Sequence, residues 1–299
     1  EYEKGSLLIT KAANSASGRN LESIINAAAK EAELAVAGLP SGFVDKGFDI
    51  GSDRVRFIRS PKIALLAGPE VSSLGMGEIW QFLDQQLKYP VTLLNVSDLS
   101  RMTANDFNVL VVPNGFYTIF SNKDMNEKLK DWVRAGGKIV AIENGAAQMS
   151  RYDWGFKIKG ADDKKDEPVK DDYSLLRKYA NRERDDLVNS MPGSIFKIEM
   201  DNTHPLAFGY TGPYYTLKQD ENIYEFLKDG WNVGYIKKDG YVTGFSGSKS
   251  KEKLKDGTLM GVVDMGRGSV VFLAENPLFR SFWENGKLLF CNAVFMVGQ

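Results

Sequence analysis

Residues 136–149 read GGKIVAIENGAAQM, and this stretch decides the fold. The apolar run before Glu143 predicts a buried strand, and the small residues after Asn144 predict the opening of a helix. Many α/β enzymes hold a nucleophile at such a corner, because the turn raises one side chain above the carboxyl end of the sheet. The residue at the apex is Glu143, neither Cys nor Ser. The sequence therefore predicts a nucleophile corner that carries a carboxylate.

The chain around this corner alternates apolar strands with amphipathic helices. Continuous Val, Ile and Leu runs occupy residues 63–67, 91–95, 109–114 and 138–143. Strands of this kind predict a mostly parallel, doubly wound α/β sheet covered on both faces. Two further runs, joined by Gly266-Arg267-Gly268, predict an antiparallel hairpin that extends the sheet near the C-terminus.

The pattern divides the chain into two parts. Residues 1–60 predict a β-α-β extension packed on the main domain, with strands at 5–10 and 34–38 and a helix at 20–31. Residues 61–299 predict the main α/β domain. Within it, the charged segment 151–190 contains GADDKKDEPVKDD and few apolar residues, which predicts a solvated, partly helical insertion.

Composition excludes several classes of function. The 38 basic residues nearly balance the 39 acidic ones, so the net charge of −1 gives no reason to expect nucleic-acid binding. The apolar runs are far shorter than the roughly 20 residues that cross a bilayer, and no signal peptide is visible at the start of the chain. A single cysteine, Cys291, and a single histidine, His204, give no disulfide and no metal site. We expect no cofactor in this chain.

Candidate site residues follow the predicted strands at the carboxyl end of the sheet, where α/β proteins bind ligands. The candidates for a binding crevice are Gly75, Glu78, Asn114, Glu143, Asn144 and His204. Glu143 could act as a general acid or base, but it has no obvious titratable partner, so the favoured interpretation is a helix cap. His204, held before Pro205, is interpreted as a loop histidine that bonds backbone.

The order of strands and turns from Pro61 to Gln148 resembles the class I glutamine amidotransferase-like, flavodoxin-like three-layer fold. In that family a cysteine stands at the apex of the corner and a glycine follows two residues later. Gly145 matches the glycine, and Glu143 takes the place of the cysteine. The family's later His-x-Glu pair has no counterpart, because His204 is followed by Pro205 and Leu206. The resemblance implies a degenerate nucleophile position and no catalytic residue.

Longer strings resemble the C-terminal region of secreted bacterial zinc carboxypeptidases of the carboxypeptidase A-like class. These strings, in matching order, are GSLLIT, DIGSDRVRFIRSPKIALLAG, GEIWQFLDQQLKYPVTLL, IFKIEMDNTHPLAFGY and NPLFRSFWENGKLLFCNAVF. The resemblance implies a secreted or periplasmic parent protein whose peptidase domain is the intramolecular partner of this chain. It implies zinc only in that peptidase domain, whose His-x-x-Glu motif is missing from this sequence.

Three hypotheses remain open. The first is a non-catalytic accessory domain of such a carboxypeptidase. The second is a small-molecule or carbohydrate binding module that uses the crevice at the strand ends. The third is a hydrolase in which Glu143 and His204 act together, which requires them within about 3 Å directly or through one water.

Overall fold

The computed structural model describes residues 6–17, 20–47, 49–52, 58–101, 106–160, 173, 176 and 178–298. The described residues fall into two compact units that divide between Ile58 and Arg59. Among them, no helix combines the length and the apolar character needed to cross a membrane.

The first unit contains helices and no described strand. A 3-10 helix covers Ala12–Ser17, and helix α1 covers Leu21–Glu31. The side chain of Asn20 caps α1 by accepting a hydrogen bond from the Ser23 N–H at 3.3 Å. The helix is confirmed, but the predicted strands are wrong, since residues 6–10 and 34–38 lack strand structure. A short apolar run forms a strand only where another strand supplies hydrogen bonds, and none pairs with these runs in the described part of the unit.

The second unit is built on one sheet of ten described strands, half of which run parallel. The order across this sheet is β2-β1-β3-β4-β10-β9-β7-β5-β6, with β8 also paired to β5. The parallel strands are β1 (Ile63–Ala67), β2 (Val91–Asn95), β3 (Val109–Val112), β4 (Lys138–Ile142) and β10 (Gly268–Leu273). All residues of β3 and β4 are buried, as expected of parallel strands covered on both faces.

The chain reverses its winding direction at β1. The connection from β1 to β2 goes one way along the sheet, and the later connections to β3 and β4 go the other way. Since such crossovers are right-handed, helices α2 (Ser73–Trp80) and α3 (Lys123–Arg134) belong to opposite faces. The carboxyl ends of β1 and β3 therefore form a topological switch point. The predicted α/β fold class with a doubly wound sheet is confirmed.

The antiparallel half is larger than the predicted hairpin. The hairpin itself is confirmed, with Gly268 opposite Met265 across the turn. Four more strands extend the sheet beyond it. The antiparallel strands are β5 (Gly193–Met200), β6 (Tyr214–Lys218), β7 (Trp231–Ile236), β8 (Tyr241–Phe245) and β9 (Gly257–Met265).

Four short helices complete the second unit. They are α4 (Asn144–Met149), α5 (Arg182–Val188), α6 (Ser248–Lys253) and α7 (Glu284–Cys291), which continues as a wider turn over Asn292–Met296. Helix α5 lies in the segment predicted to be a charged insertion. Residues 161–172, 174, 175 and 177 of that segment lie outside the described residues.

The beginning of the charged segment belongs to the core. Trp154 and Phe156 are buried, and the Phe156 ring stacks on Phe272 with centroids 4.4 Å apart. Trp154 also donates its indole N–H to Asn126 at 3.1 Å. The prediction of a solvated insertion from residue 151 onward is therefore wrong for residues 154–156. Burying these two large aromatic side chains lowers the free energy by more than the desolvation of the neighbouring charged residues raises it.

Candidate functional site

Glu143 stands at a strained turn between β4 and α4. Its backbone angles are φ 50° and ψ −124°, a region that non-glycine residues rarely adopt. Hydrogen bonds on both sides hold it there. The Glu143 N–H donates to Leu273 O on β10 at 2.8 Å, and Glu143 O accepts from the Ala147 N–H at 3.0 Å. The corner predicted from residues 136–149 is present, with the glutamate at its apex.

Gly145 makes the corner possible because the chain passes very close to β3. A Cβ atom at Gly145 would lie 2.6 Å from Pro113 O and 2.8 Å from Val112 O. These are backbone atoms that cannot move aside. The glycine two residues after the apex is therefore required by close packing.

The switch point lies beside this corner. Gly75, in the first turn of α2, approaches Asn114, and a Cβ on Gly75 would lie 3.3 Å from the Asn114 Cβ. Asn144 donates its side-chain N–H to Gly115 O at 2.6 Å. Gly75, Asn114, Glu143 and Asn144 are thus brought together at the carboxyl ends of β1, β3 and β4, which is where doubly wound sheets bind ligands.

The Glu143 side chain is half-buried, directly after the last residue of β4. The expected helix cap is wrong, since this side chain makes no capping hydrogen bond to α4. The pKa of Glu143 is raised to about 7, mainly by burial and also by the charges of Asp220 and Glu78, while Lys218 opposes the shift.

Glu78 reaches the same region from α2. The sequence pattern predicts a helix that begins at Glu78, but α2 begins at Ser73, and the Ser72 hydroxyl caps it by accepting from the Gly75 N–H at 3.3 Å. Glu78 therefore lies in the second turn. Its carboxylate accepts hydrogen bonds from the Asn276 side chain and, at 2.8 Å, from the Arg280 N–H. Glu78 ties the loop after β10 to α2.

Sequence reasoning missed four residues of the site. Lys218, at the end of β6, is fully buried and donates to Glu275, to Asp220 at 3.0 Å and to Asn222 O at 2.7 Å. Burial alone would lower the pKa of Lys218, but the adjacent carboxylates raise it. Burial raises the pKa of Glu275 well above its usual value. The fourth residue is Tyr224, whose buried hydroxyl has no partner among the described residues.

Glu275 had a recognisable signal in the sequence. It closes the apolar run that forms β10 and Ala274, much as Glu143 follows β4, and the two strands are parallel neighbours with Leu273 opposite Ile142. Lys218 and Asp220 had no comparable signal, because they reach the site through the antiparallel half of the sheet.

His204 lies away from Glu143. Its ring lies 5.9 Å from the ring of Trp231, whose indole N–H donates to Asp264 at 2.8 Å. Asp264 pairs with Ser269 on β10, and Ser269 pairs with Lys138 at the start of β4. Glu143 instead follows the end of β4. Strands rise about 3.3 Å per residue, so the length of β4 separates Asp264 and its neighbours from Glu143 along the strand direction. The grouping of His204 with the crevice is corrected accordingly.

His204 has a backbone role. Its Nδ1 accepts a hydrogen bond from the Leu206 N–H at 3.1 Å, which matches its interpretation as a loop histidine. Burial lowers the pKa of His204, and the charges of Asp201 and Asp264 oppose that shift. A reaction that uses Glu143 and His204 together is not supported by this arrangement.

Among the described residues, no group of three or more His, Cys, Asp or Glu side chains is arranged to hold a metal ion. No family model matches the chain, and no curated protein matches it either.

Several solved structures have a similar fold. A putative ThuA-like protein from Parabacteroides merdae aligns with a TM-score of 0.48 and 12% identity, over 79% of this chain and 89% of its own. A glutamine amidotransferase from Thermotoga maritima aligns with a TM-score of 0.43 and 8% identity, over 78% and 97%. The exo-β-1,4-mannosidase Op5Man5 from an Opitutaceae bacterium aligns with a TM-score of 0.46 and 13% identity, over 79% and 36%. This chain therefore spans about a third of the mannosidase, and the similarity concerns the fold alone.

Proposed function

We propose that this chain is a non-catalytic accessory domain with an amidotransferase-like fold, in which Glu143 occupies the place of a nucleophilic cysteine. The observation that carries the proposal is the corner itself. It keeps the strained backbone of a nucleophile turn, yet its side chain is a carboxylate whose charged neighbours are Asp220, Glu78 and Lys218. Hydrolysis through a covalent intermediate needs a nucleophile with an adjacent base, and Glu143 has no histidine beside it.

A direct assay tests the absence of catalysis. The purified chain is incubated with glutamine and with peptides that have free C-termini, and released ammonia and amino acids are measured. We expect the same background rate from the wild type, from Glu143→Gln and from the surface control Glu183→Gln. A rate above background that Glu143→Gln abolishes and Glu183→Gln retains would overturn the proposal.

The parent protein is proposed from sequence resemblance alone. It is a secreted or periplasmic zinc carboxypeptidase whose peptidase domain binds the metal and is the intramolecular partner of this domain. The encoded sequence that precedes Glu1 tests this proposal. A peptidase domain with His-x-x-Glu and a later histidine, behind a signal peptide, is expected there, and a domain of another class would contradict it.

A second candidate function is small-molecule binding at the crevice. It is favoured by one observation, namely that a strained non-glycine backbone holds the half-buried Glu143 carboxyl group at the strand ends. Strained backbone conformations persist where function requires them.

A thermal-shift screen with sugars, peptides and amino acids tests this candidate. A bound ligand raises the melting temperature according to RT ln(1 + [L]/Kd). We expect a shift in the wild type that is reduced in Glu143→Gln and kept in Glu183→Gln. The absence of a shift across the whole panel would rule the crevice out as a binding site for these classes.

A further inference from the structure

Residues 292–298 form a closing turn that continues the last helix and covers the amino end of β4. The amine of Lys138, the first residue of β4, donates to Val294 O and Val297 O at 2.6 Å each. Lys138, Val294 and Val297 are all buried. The amine is therefore removed from water, and the carbonyl groups that it bonds belong to the segment that covers it.

The neighbour of Lys138 under this turn is also polar. Ser269 pairs with Lys138 between β10 and β4, and its side chain is buried. A Cβ atom at Gly298 would lie 2.6 Å from Ser269 Oγ and 3.7 Å from Lys138 Cδ, so the closing turn rests on both side chains. The Ser269 hydroxyl has no hydrogen-bond partner among the described residues. A buried hydroxyl without a partner raises the free energy of the closed arrangement, and water would satisfy it if the turn moved away.

The described part of the chain gives Lys138 no compensating negative charge. The ionisable side chains on the elements around it are Lys62, Tyr89, Asp106, Arg134, Asp264, Arg267 and Cys291. Burial alone lowers the pKa of Lys138 to about 7, and none of these groups shifts it further. Whenever the amine carries a proton, the closed arrangement therefore bears the cost of a buried ammonium group.

The closing turn is held firmly at its start and less firmly beyond it. The side-chain amide of Asn292 donates to Phe208 O at 2.8 Å, which anchors the first residue of the turn. The Val297 N–H then donates to Asn292 O at 3.0 Å, a bond over five residues that helices rarely use. Phe295 packs edge-on against Tyr89, with ring centroids 5.0 Å apart. The structure therefore provides a hinge directly after Asn292.

We propose that the closing turn is a pH-sensitive latch, which opens after Asn292 more often when Lys138 is protonated and stays closed when the amine is neutral. In the open state the amine is solvated and has the ordinary lysine pKa of about 10.4. Opening therefore takes up a proton at pH values between the closed and the open pKa, and it becomes more frequent as pH falls through this range. Below about pH 7 both states are protonated, so the frequency of opening levels off. The latch and Glu143 lie at opposite ends of β4, so this inference is independent of both functions proposed above.

Amide hydrogen exchange of the purified chain, followed by NMR, measures the opening. The Val297 amide reports on the latch, and the buried Ala274 amide, which donates to Leu259 O at 2.8 Å, reports on unfolding of the sheet. We expect the protection of the Val297 amide to be about tenfold lower at pH 6 than at pH 8, and no lower at pH 5. Urea at about 1 M should leave this protection unchanged and lower that of Ala274, since only unfolding exposes a large surface.

Three variants test the parts assigned to the side chains. Lys138→Met should remove the pH dependence of Val297 protection, whereas Lys123→Met, at an exposed lysine on α3, should keep it. Ser269→Ala removes the hydroxyl without a partner, so it should raise the protection of Val297 at both pH values and retain the tenfold ratio.

Two results from the wild-type chain would overturn the latch. The first is a Val297 amide with the same urea dependence as Ala274, which would mean that the turn leaves only when the sheet unfolds. The second is equal protection of Val297 at pH 6 and pH 8. A pH dependence that persists in Lys138→Met, or faster exchange at Val297 in Ser269→Ala, would also contradict the proposal. Because the first two results need no variant, the test does not depend on Lys138→Met folding.

Discussion

Strand β4 carries an ionisable group at each end, one buried and one half-buried. Lys138 is its first residue, and Glu143 follows its last. Burial lowers the pKa of Lys138 to about 7 and raises that of Glu143 to about 7. Lys138 donates to Val294 O and Val297 O at 2.6 Å each, whereas the Glu143 carboxyl makes no capping hydrogen bond to the helix that follows it.

The difference indicates that Lys138 has a structural role and that Glu143 belongs to the candidate functional site. The Lys138 amine satisfies carbonyl groups at the end of the last helix, so its burial connects that helix to the sheet. Glu143 makes no capping hydrogen bond, and its strained backbone is held by the hydrogen bonds of its own N–H to Leu273 O and of the Ala147 N–H to its carbonyl. A strained non-glycine backbone at the end of a strand is typical of a functional position.

The largest expected effect comes from removing the cation beside Glu143. Lys218→Met leaves the buried Glu275 and the neighbouring Asp220 without their ammonium partner, and breaking a buried ion pair costs about 3–5 kcal/mol. Urea unfolding at pH 8 measures the loss, with Lys237→Met, 56% exposed, as the control. A loss of about 1 kcal/mol or less, typical of a surface pair, would contradict the account of Lys218 as the charge that holds this cluster together.

At the other end of β4, Lys138→Met removes the donor to two buried carbonyl groups. We expect a loss of about 3 kcal/mol at pH 9, where the wild-type amine is largely neutral and still donates both hydrogen bonds. The unfolded lysine has a pKa near 10.5 and the folded one a pKa of about 7, so wild-type stability rises with pH between these values as the cost of a buried charge disappears.

The Lys138→Met variant lacks this pH dependence, and its deficit should shrink as pH falls toward 7. Urea unfolding at pH 7 and pH 9 measures the difference. Lys123→Met, an exposed lysine at the start of α3, is the control for charge alone. An equal deficit at both pH values would mean that Lys138 stays charged in the folded protein.

The contrast along β4 could be predicted from the sequence only in part. A continuous apolar strand followed by Glu143, Asn144 and Gly145 predicts the corner, because strand length and small residues are local properties. The same reasoning fails for the carboxyl group itself, since a helix cap depends on φ and ψ at Glu143, and the backbone there is bonded to Leu273 on β10, a strand distant in sequence.

Charge partners from distant parts of the chain were beyond local reasoning. Lys218 meets Glu275 across 57 residues of sequence, through an antiparallel sheet whose strand order no local pattern encodes. His204 and Glu143 each follow an apolar segment, which places them together only if both strands run the same way. Strand β5 runs antiparallel to β4, so its carboxyl end lies at the opposite edge of the sheet. The strands predicted in residues 1–60 failed for a related reason, because pairing is a tertiary property.

Neutralising Glu143 should stabilise the protein. The pKa of Glu143 is about 7 when folded and 4.5 when unfolded, so the folded state holds its proton more tightly. Stability therefore falls as pH rises from 4.5 to 7 and stays lower above it. Glu143→Gln should be more stable than the wild type by roughly 2 kcal/mol at pH 8, after allowance for partial exposure, and equal to it below pH 4.5.

Urea unfolding at pH 4 and pH 8 measures this gain, and Glu183→Gln, whose side chain is 83% exposed, should change stability by less than about 0.5 kcal/mol at either pH. If Glu143→Gln were less stable than the wild type at pH 8, the Glu143 carboxylate would have stabilising partners in the folded protein. Glu143 would then resemble Lys138 and would not differ from it as described above.

The smallest effect is expected at His204, which lies at the level of Lys138 and apart from the crevice. His204→Ala removes the acceptor for the Leu206 N–H and should cost about 1 kcal/mol, as the loss of a helix cap does. His204→Asn should recover most of that loss, because the asparagine side-chain oxygen can accept the same hydrogen bond. Urea unfolding at pH 8 measures both variants. A loss well above about 1 kcal/mol in His204→Ala that His204→Asn does not recover would contradict the view that the role of His204 is to accept the Leu206 N–H.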